Sequence, residues 1–195
     1  TGVALSDGKT TKSFNNLAEM GLKAIYHISD TPYVINFQKA FASMKTYASA
    51  QYAKANTAGA VIQMTDSAIT VTCPQGENII NLNYEDLKGK SLSFVGVDGS
   101  TNYSVIVNVK NLDGSDITFN KAVHINGHNY DAYGYESGSV MFNLGDSYKG
   151  TATFAGDANM GSVLAPSASV LVEVSHNGSI YANTVENRNC EIHQS

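Results

Sequence analysis

Gly161–Ser195 reads GSVLAPSASVLVEVSHNGSIYANTVENRNCEIHQS, and the fold is decided by how this closing stretch is read. Three short runs, Ser162–Leu164, Val170–Val174 and Ile180–Ala182, are rich in β-branched and apolar residues. Pro, Gly, Asn and Ser separate them at close, nearly regular intervals. Chains that lay down a strand, turn and lay down another have this pattern, as parallel solenoids and compact β folds do. No residue of the stretch stands in a catalytic pattern, so it speaks to architecture first.

Upstream, the same grammar extends to Gly59. Val61–Met64, Ala68–Cys73, Ile79–Asn83, Leu92–Val95, Tyr103–Lys110, Val123–Ile125, Val140–Leu144 and Thr151–Phe154 are strand candidates. Pro74-Gln75-Gly76, Asp98-Gly99 and Asp113-Gly114 mark turns among them. Runs such as VIVNV and SVLVEV alternate with period two, which fits a sandwich as well as a solenoid. Between Asn36 and Ala55 the period changes: Phe37, Phe41, Met44, Ala48 and Tyr52 fall on one helical stripe. Asn36 suits the N-cap and Gly59 follows the end. One helix and some eleven short strands predict a mainly β domain with that helix packed against a sheet. Before it, Phe14, Leu17, Ala18, Leu22 and Ile25 make a weak helical stripe, and residues 1–30 have no firm assignment.

At 195 residues the chain fits a single domain over 1–195. Charged residues make up 15% of it, below the usual ~25%, and Ser, Thr, Asn and Gly take their place. Such uncharged polar surfaces are common in extracellular bacterial modules. A net charge of −5 with scattered Lys and Arg argues against nucleic acid, which needs clustered cations. No run approaches the ~18 apolar residues of a membrane span, so no membrane insertion is expected. The chain shows no signal peptide and no sorting motif; if it is secreted, it is a mature fragment of a longer protein. Cys73 and Cys190 leave two readings open, one long-range disulfide or two buried free thiols, the second being the simpler.

The order of segments PYVINFQKAFASMKTYASA, AITVTCPQGENIINLNYEDLKGKSLSFVG, YSVIVNV, SVMFNL, GSVLAPSASV, GSIYANTV and EIH resembles the choice-of-anchor A domain. That domain occurs in bacterial surface and secreted proteins, including Gram-positive adhesins anchored to the cell wall. Gly161–Pro166 fits its pattern fully, Asn81-Leu82-Asn83 and Asp86-Leu87 fill its third element, and Glu191-Ile192-His193 closes it. Ser167 stands where the family usually has Asn, and the family's Gly-rich opening is missing from residues 1–30. The resemblance implies a right-handed β-helix over residues 60–195 with a long flanking helix at 36–55. Its layout is similar to that of bacterial ice-binding domains.

Chemistry-bearing motifs are scarce. His124-Ile-Asn-Gly-His128, followed by Asp131, spaces two His as a helical metal site would, but the Asn126-Gly127 turn opposes a helix. Asp98–Asn102 and Asn111–Asp116 offer oxygens without the acidic density of a calcium loop, and DG turns explain both. No GxSxG, P-loop or GxGxxG occurs, so no enzyme, metal or cofactor is expected. Thr70-Val-Thr72 and Thr151-Ala-Thr153 each put two Thr on one side of a strand, but a dedicated ice face would repeat such pairs in an array. The strongest surface signal is tyrosine, with 11 Tyr and no Trp. Tyr130, Tyr133 and Tyr135 cluster in NYDAYGYESG, which suits either a recognition loop or a packed one.

The sequence therefore predicts an extracellular, non-enzymatic adhesion or surface-display module, anchored to the cell wall through regions outside this fragment. Its partner would be a host matrix protein, a glycan or another surface protein. An ice- or polysaccharide-binding solenoid and a structural stalk without its own ligand are the alternatives.

Overall fold

A computed structural model describes residues 37–129, 134–158 and 160–193. Nearly all of them fall in the compact unit Phe41–Ser195; of the other unit, Thr1–Ala40, the described residues are 37–40, the start of the first helix. The segment 1–30 lies outside the described residues.

The mainly β expectation holds. Helix α1 spans Phe37–Tyr52. The strands follow as β1 (Val61–Met64), β2 (Ala68–Cys73), β3 (Gly76–Asn83), β4 (Ser91–Gly96), β5 (Tyr103–Lys110), β6 (Ile117–Phe119) and β7 (Val123–Ile125). Then come β8 (Val140–Asn143), β9 (Thr151–Phe154), β10 (Ser162–Val172), β11 (His176–Asn177), β12 (Ile180–Asn187) and β13 (Ile192–His193). A single helical turn, α2 (Tyr84–Leu87), links β3 to β4 and buries Leu87. The two strands expected at Ser162–Leu164 and Val170–Val174 are one strand. Pro166 sits inside it at the register shift between Ala165 and Ser169, where the ladder is already broken and a missing N–H costs no bond.

The larger sheet runs β3-β5-β8-β10-β9-β6, with β12 also paired to β10. Every pairing in it is parallel. The second sheet, β1-β2-β4-β7, is parallel apart from its antiparallel β1 edge, and β11 pairs with β13 in parallel. Strict alternation follows from the pleat. Ile69, Leu92 and Val123 form one buried row, Val71, Phe94 and Ile125 the next. In the larger sheet Ile80, Val107, Phe142 and Val163 stack across four strands. Phe119 lies on Phe154 with centroids 4.9 Å apart, so aromatic contact closes the core where β6 meets β9.

Helix α1 runs across the outer side of the larger sheet, held by three stacked asparagines. Asn143 of β8 donates to the Ala48 carbonyl (2.9 Å), Asn108 of β5 to Gln51 (2.8 Å) and Asn81 of β3 to Lys54 (3.1 Å). Three residues of helix rise about 4.5 Å, close to the ~4.8 Å between strands, so one carbonyl meets each strand in turn. Those carbonyls lie at and just past the C-terminal end of α1, where carbonyl groups turn outward and can take a second hydrogen bond. The stripe expected from Phe41, Met44, Ala48 and Tyr52 is the covered side, joined by Gln51.

Tight turns near the end of the chain depend on glycine. Gly178 has φ +143, and a Cβ there would lie 2.5 Å from the Gly161 carbonyl oxygen. Gly161 itself has φ +106, with Phe142 2.8 Å from where its Cβ would stand. This explains the glycine that opens GSVLAP: the backbone passes too close to the neighbouring strand for any side chain.

Candidate functional site

Outward-facing residues of β6, β9, β10 and β12 form the most regular polar surface among the described residues. Inward alternation buries Ala152, Phe154, Val170 and Val172, which turns Thr151, Thr153, Ser169 and Leu171 outward. Parallel pairing sets them in rows: Thr151, Ser169 and Thr184 stand side by side, and Thr118, Thr153, Leu171 and Glu186 form the next row. Neighbours within a row are about 4.8 Å apart and the rows about 6.6 Å apart, from strand geometry. The hydroxyls thus stand in regular rows on a hydrogen-bonded ladder. A groove of about 350 Å³ runs along it.

Charge borders this surface. Arg188 bonds Glu173 at 2.9 Å and Glu186 at 2.8 Å, which holds its guanidinium firmly protonated, its bond with Glu186 being the main cause. These pairs are exposed and fix orientation more than they add stability. At the opposite border the Asp116 carboxylate accepts the Thr151 N–H at 2.8 Å.

Asp116 also lines a second, larger cavity of about 460 Å³ with Tyr84, Glu85, Lys88, Asn111 and Asp113. Its walls are pre-set by internal bonds. The Tyr84 hydroxyl accepts the Thr118 N–H at 2.9 Å, and its ring meets Phe119 edge-on. The Asp113 carboxylate accepts the Ser115 N–H at 2.9 Å, which pulls its pKa below the usual carboxylate value. Behind them the single Tyr148 O–H is shared between the backbone carbonyls of Ser115 and Thr151; burial, aided by the Asp116 charge, pushes its phenol up to about 12. A shallower groove of about 370 Å³ between α1 and the larger sheet is lined by Met44, Tyr47, Met141, Leu164 and Tyr181 and is almost wholly apolar.

The residues singled out in the sequence distribute unevenly. Tyr130 and Tyr133 lie outside the described residues; Tyr135 falls in the 3-10 turn Gly134–Ser139, its side chain outside them too. Cys73 ends β2 fully buried, and burial raises its thiol to about 11. Cys190 is half-buried beside Asn187 and the Val172 carbonyl, and both cysteines are free thiols. His124 lies on β7, and Asn126-Gly127 turns with positive φ at both positions. No group of three metal-ligating side chains comes together among the described residues.

Of the two Thr pairs, Thr151/Thr153 enters the hydroxyl rows, while Thr70/Thr72 on β2 stands beside Ser93 and Val95. Thr118, Ser169 and Thr184 went unnoticed in the sequence. Their only signal is alternation within ITF, SASVLV and ANTV, which carries no information on which strand they will face. His176 is likewise silent in the sequence, yet it is fully buried, its Nε2 donating to the Gly161 carbonyl at 2.8 Å.

The profile of a family described as "Putative Ice-binding-like adhesive domain" matches residues 2–194. No curated protein and no solved structure gives a match.

Proposed function

The chain belongs to this ice-binding-like adhesive domain family, and from that premise we propose that it is a non-enzymatic adhesion module of a bacterial surface protein. The observation that carries the reading is the register of Thr151, Ser169 and Thr184, which sets hydroxyls side by side on three parallel strands. A hydrogen-bonded ladder orders these donors and acceptors before binding, so little side-chain entropy is lost when a ligand docks. The reading includes a β-solenoid scaffold, supported by the parallel pairing of successive strands and by one helix laid across them. A closer relation to the choice-of-anchor A domain is supported by GSVLAP and the closing EIH. Attachment to the cell wall through regions outside this chain belongs to the same reading, with a host matrix protein, glycan or other surface molecule as partner.

Ice is the second reading, favoured by the same rows. Three features tell against it. Asp116 and Glu186 put carboxylates along the rows, Leu171 interrupts them, and Arg188 rises at their border. Strongly hydrated charges disturb the ordered water that an ice plane needs, whereas they serve a hydrogen-bonding ligand well.

Surfaces coated with matrix proteins, mucin-type glycans or cell-wall polysaccharide provide the test. Saturable attachment that Thr184→Lys weakens supports adhesion. Linear, unsaturable retention on every coat overturns it, and suppressed ice recrystallisation at micromolar protein would move the assignment to ice.

A further inference from the structure

We infer that the adhesive ligand is a neutral oligosaccharide, one sugar ring of which occupies the cavity beside Tyr84 while the chain continues over Thr151, Ser169 and Thr184. The inference rests on the adhesive reading above and names its ligand class.

Size and continuity come first. The cavity, about 460 Å³, falls in the ~300–1,000 Å³ range of small-ligand sites. Asp116 belongs to its wall and also to the groove along the hydroxyl rows, so the two surfaces join at one residue. A polymer with repeating units can occupy both at once, and linked contacts of this kind multiply affinity.

Chemistry comes next. A sugar ring offers hydroxyls that both donate and accept, together with apolar C–H faces. Asp113 and Asp116 are each fixed by a backbone N–H, and their carboxylates, with about four lone-pair sites apiece, have acceptor capacity left for ligand hydroxyls. Glu85, Lys88 and Asn120 line the same cavity and make no side-chain hydrogen bond among the described residues. Tyr84 adds an aromatic wall held at both its hydroxyl and its ring edge, suited to the C–H face.

Charge selects within the class. Glu85, Asp113 and Asp116 outnumber Lys88, so the lining is net negative and repels sialic acids, uronic acids and sulfated sugars. These carboxylates also do not gather into a three-ligand cation cluster among the described residues, which leaves them available to hydroxyls. A peptide would instead seek apolar anchor pockets. The apolar groove beside Tyr47 lies elsewhere and does not share a residue with this cavity.

The experiment applies the intact chain to a printed array of neutral and acidic oligosaccharides, with matrix proteins spotted alongside. Titration calorimetry then follows with the strongest neutral oligosaccharide. Hits confined to neutral sugars are expected. Asp113→Ala and Asn120→Ala should each weaken binding at least tenfold, Thr184→Lys should weaken binding of longer chains more than of shorter ones, and each variant's thermal melt should stay that of the parent. Saturable binding to matrix proteins with no sugar hit overturns the ligand class and leaves the adhesive reading standing. Sugar binding indifferent to Asp113→Ala and Asn120→Ala overturns the cavity assignment, as does a preference for acidic sugars. Retention on nothing overturns both readings together.

Discussion

Asn143 donates one amide hydrogen to the Oδ1 of Asn108 at 2.9 Å and the other to the Ala48 carbonyl at 2.9 Å, although 35 residues separate the two asparagines. Asn108 repeats the arrangement one strand on, donating to Asn81 at 3.1 Å and to Gln51 at 2.8 Å. Asn81 ends the ladder on Asn56 and Lys54. The ladder therefore ties three strands to each other and to the helix at once. Tyr52 and Lys110 add a reciprocal clasp, the Tyr52 hydroxyl donating to the Val109 carbonyl at 2.8 Å and the Lys110 ammonium to the Tyr52 carbonyl.

Asn108→Ala should be among the costlier polar substitutions. It removes two donors and one acceptor, and strands in a buried position the Asn143 amide hydrogen that Asn108 accepts. Unsatisfied buried groups cost about 1–3 kcal/mol each, so a loss of about 2–4 kcal/mol is expected in urea unfolding. A change below about 0.5 kcal/mol, the level of an unremarkable surface site, would show that the ladder is not structural.

His176 gives the fold an acid-sensitive point. Desolvation lowers its pKa below the ordinary value, and this outweighs the backbone hydrogen bonds to Gly161 and Ala158 that favour the charged ring. A lowered histidine pKa means that the unfolded chain takes up the proton first. Its contribution is therefore complete above the unfolded value near ~6.5 and is lost as pH falls through the folded one. Melting temperature measured from pH 7.5 to 5 should fall, and His176→Gln should flatten that slope even if it lowers the plateau. Parallel slopes for the two proteins would remove His176 as the cause.

Gly178→Ala should unfold or severely destabilise the chain. The added methyl would stand 2.5 Å from the Gly161 carbonyl oxygen and 2.9 Å from the Ser162 nitrogen, backbone atoms that cannot rotate away. At least about 2 kcal/mol is expected, read from urea midpoints or, where the chain no longer folds, from loss of soluble yield. By contrast, Gly89→Ala meets no atom within 4 Å and is strained only by its φ of +74, so it should cost less.

The thiols should separate by reactivity. Cys73 is fully buried and raised to about 11, which leaves roughly one part in a thousand as thiolate at pH 8. Cys190 is half-buried at the surface. Ellman titration of the native protein without reductant should find one thiol, and the same assay in guanidinium two. Two thiols titrating at equal rates in the native protein would place Cys73 outside the core, and none in guanidinium would mean that the pair is bonded.

Thr153→Lys should leave stability within about 0.5 kcal/mol, since the side chain points out of the sheet. It should nevertheless weaken surface attachment, because a long cation rises from the middle of the second hydroxyl row. Undiminished attachment by a protein with a normal melt would place the ligand on another surface.

Much of the scaffold is legible in the chain. Phe41, Met44, Ala48 and Tyr52 mark the covered side of α1, and period-two runs give most strand bounds within one to three residues. Pro166 misled because proline usually ends a strand, whereas here a bulge absorbs it. The short strands β6, β11 and β13 were missed since two or three residues carry no period of their own. The candidate site was legible as Thr151, Thr153 and the oxygen-bearing loop Asn111–Asp116, while its other hydroxyls come from strands that sequence alone cannot place beside them.

By itself the sequence determined the helix, the alternation and the glycine turns, because each depends on contacts within a few residues. Tertiary structure alone decided which strands lie next to each other. Steps from one paired residue to the next are 27 residues from Asn81 to Asn108, 35 from Asn108 to Asn143 and 17 from Ser162 to Ser179. Loops of such unequal length leave no repeat in the chain to announce the register. Register follows instead from burying the Val, Ile and Phe rows inside and from matching asparagines to helix carbonyls outside, since a slip of one residue would turn every core side chain toward water.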